Sequence, residues 1–205
     1  MRYTVYILLF IFFAYNSHAQ IKKFPNGIYL NAEQLKNATP EFDADLHVVQ
    51  RTSGGKMLVG GNDYKLESDV DSLNRKYIRK TIFAYVRKDS IFLNCLDYKL
   101  GGGYALTLTK GNFLAFRSEL TDSKAVPLAV FGGAVGGAIA GSSQSLYVLS
   151  LRTGNVRLLS KEYLIERLKE NQMLLDQYNK IPKKQKEAEE ILLKYISSLN
   201  EEIKN

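Results

Sequence analysis

The sequence contains one cysteine, Cys95, no tryptophan and only four prolines. A lone cysteine cannot form an intramolecular disulfide, so this 205-residue chain has to be stabilised by an apolar core. Cys95 lies in the strand-like run 91–96, where we interpret it as a buried thiol in preference to a reactive one. Because no cysteine stands directly after the apolar N-terminal run, the sequence offers no lipoprotein acylation site.

Histidine is nearly as scarce, with His18 and His47 as its two instances. Neither a zinc site nor a Ser-His-Asp triad with a Gly-x-Ser-x-Gly turn can be assembled from this set. His47 lies in the alternating run 46–50 and is predicted to face outward from a strand. The glycines at 101–103 precede a predicted strand instead of a helix, so they do not form a phosphate loop. We therefore predict no catalytic residue, no metal site and no cofactor.

Carboxylates leave one alternative open. Asp43 with Asp45, and Asp69 with Asp71, each place two acids on the same side of an extended chain. Glycosidases use two carboxyl groups about 5–10 Å apart. Acidic doublets in loops are more often solvated, so a carboxylate-dependent hydrolase acting on envelope glycans is the alternative and not the first hypothesis.

Basic residues exceed acidic ones, giving a net charge of +7, but the excess is dispersed along the chain. The doublets 22–23, 87–88 and 183–184 are far apart, without the aromatic interleaving of a nucleic-acid surface. We expect no nucleic-acid binding, and favour weak attraction to anionic glycans or lipid head groups.

The N-terminus has the three-part layout of a secretory signal peptide. Arg2 supplies a positive start, residues 3–15 are almost entirely apolar, and small residues precede Gln20. The apolar run is about thirteen residues, against the roughly twenty of a membrane-spanning helix. We predict a signal peptide over residues 1–19, cleavage between Ala19 and Gln20, and export to the periplasm, the outer cell envelope or the medium.

Residues 20–159 are predicted to form a β-rich domain. Turn residues separate short runs of β-favouring side chains, which predicts strands at 27–30, 46–51, 56–60 and 64–67. A short helix through Lys36 is predicted after 27–30, with Asn31 as its N-cap and Gln34 as the reciprocal partner. The segment 69–77 is ambiguous and could form one helical turn.

Three hairpins are predicted in the rest of this domain. They pair 81–86 with 91–96 around a four-residue loop, 104–109 with 113–117, and 146–151 with 156–159. Sequential hairpins have to curl or stack to hide one face, so the predicted class is β-rich (α+β), a barrel or sandwich.

The hydrophobic period becomes helical in residues 160–205. Ser160 is the predicted N-cap of a helix that runs through Tyr178 and ends before Pro182. A second predicted helix carries a narrow apolar stripe from Ala188 to Ile203. The pair is predicted to be a helical hairpin or a loosely held tail.

Residues 125–141 form an apolar segment without charges, in which Gly133, Gly137 and Gly141 recur every four residues. On a helix this spacing lets another backbone approach closely. Three interpretations remain: burial in the fold, membrane insertion or self-assembly through 126–141, and a flexible hinge. Pro127 and the short length favour the first.

Two serines and three tyrosines are candidate surface residues. Ser72 and Ser90 each follow an aspartate in a three-residue pattern similar to the O-glycosylation pattern of Bacteroidota envelope proteins. Tyrosines can bind through both apolar area and a hydroxyl, and the candidates flanking predicted turns are Tyr64, Tyr98 and Tyr104.

The chain resembles an uncharacterised family of secreted Bacteroidota proteins. The resemblance rests on Ala19-Gln20, on 27–30 followed by Leu35 and Pro40, and on the block from 147 through 154 into the helix that ends near Tyr178. It spans residues 24–180 and leaves 183–205 outside. It implies an envelope setting and no catalytic residues.

These observations favour a non-catalytic cell-envelope protein that binds another envelope protein or a glycan. The hydrolase and the membrane-associating or self-assembling protein remain the alternatives. The sequence leaves the partner and the oligomeric state undetermined, and peripheral contact with a membrane stays open.

Overall fold

The computed structural model describes residues 22–52, 62–119 and 144–202, which contain nine strands and five α-helices. The strands are β1 (Gly27–Tyr29), β2 (His47–Gln50), β3 (Tyr64–Glu67), β4 (Ala84–Arg87), β5 (Ser90–Asn94), β6 (Tyr104–Leu106), β7 (Phe113–Glu119), β8 (Gln144–Ser150) and β9 (Val156–Leu158). The helices are α1 (Ala32–Asn37), α2 (Arg75–Thr81), α3 (Lys161–Leu168), α4 (Gln172–Asn179) and α5 (Glu189–Glu202). Short 3-10 turns cover Asp71–Leu73, Leu96–Tyr98 and Lys183–Gln185.

The strands form two antiparallel sheets. Six of them make a curled half-barrel in the order β1-β4-β5-β6-β3-β2, and the other three make a second sheet in the order β7-β8-β9. This architecture, with helices at the C-terminal end, confirms the predicted β-rich class.

Alternation along the strands places apolar side chains on both faces of each sheet. In β4, Ala84 and Val86 point into a core between the two sheets, whereas Tyr85 belongs to a second core beneath α2. In β7, Leu114 faces the core between the sheets, and Phe113 faces a third core under α3, α4 and α5. The molecule is therefore layered in the order helix, sheet, sheet, helices, because side chains of a strand alternate between faces.

The predicted N-cap of α1 is confirmed. The Asn31 side-chain oxygen accepts a hydrogen bond from Gln34 N at 2.8 Å. Gln34 Oε1 accepts from Leu30 N at 2.7 Å, one residue earlier than a standard capping box would place it. The two side chains therefore join the end of β1 to the start of the helix.

The first and third predicted hairpins are present, both with changed bounds. β4 and β5 are joined by Lys88 and Asp89 alone, and Arg87 and Ser90 pair across the strands instead of belonging to the loop. Both turn residues have positive φ, 46° and 64°, which is typical of a two-residue turn that matches strand twist. Thr81 ends α2 and is not a strand residue. The ambiguous segment 69–77 contains a 3-10 turn and the start of α2.

The second predicted hairpin is wrong. β6 pairs with β5 and β3 in the half-barrel, while β7 pairs with β8 in the other sheet. A single bridge between Thr107 and Phe116 remains from the expected pairing. The chain therefore passes from one sheet to the other between Leu106 and Phe113. The predicted strand 56–60 lies outside the described residues.

The predicted single helix after Ser160 is two helices. Ser160 caps α3 as expected, its hydroxyl accepting from Tyr163 N at 3.2 Å. The helix ends at Leu168, and Asn171 caps α4 by accepting from Leu174 N at 3.0 Å. With α5, these helices cover the second sheet, so the C-terminal part is a packed layer and not a loose tail. No helix among the described residues has the length and apolarity needed to cross a membrane.

Candidate functional site

A groove of about 1030 Å³ opens between α2 and the β2–β3 hairpin. Its apolar lining includes four buried side chains, Leu66, Leu73, Ile78 and Tyr104. Seven charged side chains and one histidine also line it: Arg51, Lys65, Glu67, Asp69, Arg75, Arg79, Lys99 and His47. Lysine and arginine outnumber acids in this set, and we call the feature the cationic groove.

Buried hydrogen bonds hold α2 against the sheet and so fix one wall of the cationic groove. Tyr104, in β6, donates through its hydroxyl to Ile78 O at 2.6 Å, and burial raises the pKa of this phenol. Asn94 Nδ2, at the end of β5, donates to Arg79 O and Ile82 O at 2.9 and 2.8 Å. The helix that carries the arginines is therefore anchored by polar groups of the sheet beneath it.

Two arginines project from α2 on the same side. Asn74 caps the helix by accepting from Lys76 N at 3.1 Å and from Tyr77 N at 3.0 Å. Arg75 and Arg79 are then one helical turn apart, a spacing that brings side chains together on a helix surface. Gly102 faces the second arginine: a Cβ at this glycine would lie 3.9 Å from Arg79 Nη2. This is an ordinary van der Waals distance, so Gly102 and the Arg79 guanidinium are neighbours in the lining of the cationic groove.

The acids in the cationic groove already have cationic partners. Glu67 is 2.6 Å from Lys65 Nζ, and Asp69 is 2.8 Å from His47 Nε2. Within the described residues, neither Arg75 nor Arg79 has a carboxylate partner, although both side chains are exposed. Arginine presents a planar set of donors that matches carboxylate, sulfate and phosphate. The arrangement is suited to binding an anion.

His47 lies on the outward face of β2, as predicted, and is exposed. The hydrogen bond with Asp69 and the negative charge of that residue raise its pKa above the ordinary value, with smaller contributions from Asp45 and Glu67. Protonation of His47 adds positive charge to the cationic groove. The charge of its imidazole changes with pH in the range near neutrality.

The four predicted carboxylates are all exposed. Asp69 pairs with His47, and Asp45 forms an ion pair with Arg87. These residues are therefore not gathered in a desolvated pair, which is the environment that tunes the carboxyl groups of a glycosidase. Among the described residues, no group of three or more His, Cys, Asp or Glu side chains is placed to hold a metal ion.

The predicted cysteine and the three predicted contact tyrosines are buried or half-buried. Cys95 is buried, as expected, and burial raises its pKa to about 12. Tyr104 is buried, which corrects its prediction as an exposed contact group, and Tyr64 and Tyr98 are half-buried. The core beneath α2 takes Tyr104 because β6 is a central strand of the half-barrel.

The two candidate modification sites differ in accessibility. Ser72 is exposed in the 3-10 turn, whereas Ser90 is half-buried at the first position of β5. The glycines of the apolar segment, Gly133, Gly137 and Gly141, lie outside the described residues, as do Ala19 and Gln20.

Sequence reasoning did not select Arg75, Arg79 or Lys99. The first two carried a usable signal, because Asn74 is a strong N-cap and the arginines are four residues apart after it. Lys99 carried none, since the turn after β5 brings it to the cationic groove only when the half-barrel is formed.

The half-barrel, the second sheet and the covering helices define a β-rich α+β protein with a charged groove at one side of its larger sheet. The chain belongs to a family of unknown function (DUF6563), whose model matches residues 27–203. The match includes residues 183–203, which the resemblance drawn from the sequence had left outside. No curated protein and no solved structure matches the chain.

Proposed function

We propose that this protein is a non-catalytic protein of the cell envelope that binds an anionic ligand in the cationic groove. The observation that supports this proposal is the pair of exposed arginines, Arg75 and Arg79, which have no carboxylate partner in the described residues and border an apolar lining. Charge-assisted hydrogen bonds from arginine are among the stronger polar contacts in proteins.

The mixture of surfaces favours a ligand with both charge and apolar area. Val49 and Leu96 are half-buried in this lining and supply contact area that a free inorganic anion would not use. A chain-like envelope component with acidic groups at intervals would use the apolar lining and the arginines together. The positive net charge of the protein also favours its encounter with such a polymer.

The envelope setting is argued from the N-terminal layout. A positive start, an apolar run and small residues before Gln20 direct a chain to the export machinery. Mass spectrometry of the protein recovered from its own cells tests this part of the proposal. A mature chain that begins at Gln20 is expected, and an intact N-terminus in the cytoplasm would contradict export.

The binding proposal is tested with two anionic polymers, polyglutamate and polygalacturonate, by fluorescence anisotropy or calorimetry. Replacing Arg75 and Arg79 with alanine should weaken binding of the preferred polymer by about tenfold or more, since a hydrogen bond to a charged group contributes about 1.5–3 kcal/mol. The matched control is Lys76→Ala with Lys80→Ala, which removes the same charge from the same helix but does not touch the lining of the cationic groove.

The two double variants distinguish binding in the cationic groove from attraction of the polymer by the net charge of the protein. If the groove binds the ligand, the lysine pair changes affinity less than twofold. Equal losses in both double variants would show that net charge alone drives the association, and the cationic groove would no longer be the site.

A further inference from the structure

One edge of the half-barrel presents unpaired backbone groups beside the cationic groove. In the β2–β3 ladder, His47 is opposite Glu67 and Val49 is opposite Lys65. Arg51 N, in the same register, donates to Asp63 O at 2.7 Å. In an antiparallel strand, alternate residues direct their backbone N–H and C=O groups to the same neighbour. The backbone groups of the odd-numbered residues therefore bond to β3, and those of the even-numbered residues point away from the sheet. The N–H and C=O groups of Val48 and Gln50 therefore lie on the open edge.

These four groups have no hydrogen-bond partner among the described residues. The open stretch has a defined start, because Leu46 N, the preceding outward-facing amide, donates to the Tyr85 hydroxyl at 3.1 Å. The edge then runs along the side of the cationic groove, where His47, Val49 and Gln50 are all lining residues.

Two other strand edges of the same molecule are covered. Beside β1, Ile28 N donates to Phe42 O at 2.9 Å, and Glu41 N donates to Ile28 O at 2.8 Å. Natural proteins commonly protect sheet edges in this way, since an open edge is a template for another strand.

On β7, side chains take the place of a neighbouring strand. Phe113 N donates to Asn200 Oδ1 at 2.7 Å, and Ala115 N donates to the Thr109 hydroxyl at 2.8 Å. By contrast, β2 has no proline or lysine, and two adjacent valines at 48 and 49 are half-buried. The sequence of β2 lacks the residues that normally block pairing.

We propose that an extended acidic segment of a partner protein adds to β2 as a seventh strand of the half-barrel. This inference rests on the proposed function, and it names the ligand of the cationic groove as a polypeptide. Backbone pairing with Val48 and Gln50 would hold the segment, while alternate acidic side chains would reach the arginines and lysines beside it. A polysaccharide lacks amides at the strand repeat, so it cannot satisfy these groups in the same way.

The test uses a fluorescein-labelled eight-residue peptide that alternates Glu and Val, with the purified protein. Two analogues carry N-methyl groups, one on every Glu and the other on every Val, and have the same side-chain charge as the parent. Strand addition uses the amides of one set only. We expect one analogue to bind at least tenfold more weakly than the parent and the other to stay within threefold.

A protein variant gives a second measurement. Gln50→Pro removes one outward N–H, and proline is tolerated on an edge strand where the N–H faces away from the ladder. Gln50→Pro should weaken binding of the parent peptide at least fivefold, whereas Gln50→Ala, which keeps the N–H, should leave this binding unchanged. Thermal melting reports whether the proline variant is folded, and the peptide analogues decide the question if it is not.

The outcomes distinguish this inference from the proposed function. Equal binding of the parent and both analogues would overturn strand addition. Binding of polygalacturonate that depends on Arg75 and Arg79, with no binding of the peptide, would overturn the inference and leave the proposed function standing. Peptide binding unaffected by the arginine substitutions would contradict the proposed function instead.

Discussion

At the scale of single residues, Asn200 joins the last helix to the second sheet. Its side-chain amide donates to Phe113 O at 2.8 Å and accepts from Phe113 N at 2.7 Å, as a neighbouring strand would. The contact is close enough that a Cβ at Gly111 would lie 2.5 Å from Asn200 Cγ. A glycine is therefore required there, and its φ of 132° also disfavours a side chain.

Replacement of Asn200 by alanine is expected to lower the free energy of unfolding by about 1–3 kcal/mol, because the Phe113 N–H and C=O lose their partner in a buried place. Urea denaturation followed by circular dichroism measures the change. The control is Asn179→Ala, an exposed asparagine whose loss should cost less than about 0.5 kcal/mol. Similar effects of the two substitutions would contradict the role of the amide.

The exposed pair His47 and Asp69 gives a second prediction at this scale. Since Asp69 raises the His47 pKa, Asp69→Asn should lower it towards the ordinary value. Titration of the imidazole Cε1–H by NMR measures both proteins. Asp71→Asn, at a nearby exposed aspartate that does not contribute to the shift, should leave the His47 pKa unchanged.

The sign of the pH effect follows from this direction. A histidine with a raised folded pKa contributes stability that is fully present below its unfolded pKa and is lost as the pH rises through the folded value. Deprotonation also removes a positive charge from the cationic groove, so binding of an anion should weaken over the same pH range. An Asp69→Asn protein with an unchanged His47 pKa would show that the pair does not form in solution.

At the scale of elements, the β4–β5 hairpin carries two non-glycine residues with positive φ. Such a conformation costs a non-glycine residue about 1–3 kcal/mol, and glycine adopts it at a smaller entropic cost. Asp89→Gly is therefore expected to stabilise the protein by about 0.5–1 kcal/mol, measured as a shift of the urea midpoint. Asp97→Gly, in the 3-10 turn without positive φ, should instead destabilise it. A loss of stability with Asp89→Gly would contradict the argument.

The elements also show what local sequence can predict. The β8–β9 hairpin was found because the turn at 152–155 and its two flanking runs are adjacent in sequence. The proposed partnership of 104–109 with 113–117 used the same reasoning and was wrong. Instead, β6 pairs with the preceding strand β5 and, through Tyr104 opposite Tyr64, with β3, which lies much earlier in the sequence. Turn residues predict pairing between neighbouring runs of sequence, but they do not predict which distant strand lies beside a given strand in the sheet.

The break between α3 and α4 was predictable in principle, since Asn171 is a good N-cap inside an otherwise periodic run. The cationic groove was not predictable as a site. Its cations come from a helix, a hairpin and a turn, and no short motif contains Arg75, Lys65 and Lys99 together. A binding function was inferred from the lack of catalytic residues, whereas the position of the groove required the fold.

At the scale of the whole molecule, the C-terminal helices pack on the second sheet and complete its core. The side chains of α5 that face the second sheet are buried, including Tyr195, Ile196 and Leu199. Arg117 in β7 and Glu189 in α5 add an ion pair at 2.5 Å across the same contact. Because the sheet has this core on one face and the half-barrel on the other, all layers should unfold together.

Ile196→Ala tests that cooperativity. Ile196 is fully buried, so the substitution leaves a cavity and should cost about 2–5 kcal/mol. The control is Lys194→Ala, an exposed position on the same helix, where the cost should stay below about 0.5 kcal/mol. Unfolding is followed in parallel by far-UV circular dichroism, which reports the helices, and by tyrosine fluorescence, which also reports the half-barrel.

The two signals distinguish a covering layer from an independent tail. If α5 is part of one cooperative unit, the helical signal and the tyrosine signal shift together to a lower urea midpoint in the Ile196→Ala protein. If the helices were loosely held, the helical signal would fall first, and the fluorescence would show a second transition at higher urea from the tyrosines of the half-barrel, such as Tyr29 and Tyr85. The burial of Tyr178 against Tyr195, with ring centroids 5.1 Å apart, favours the single transition, because the helices also pack on one another.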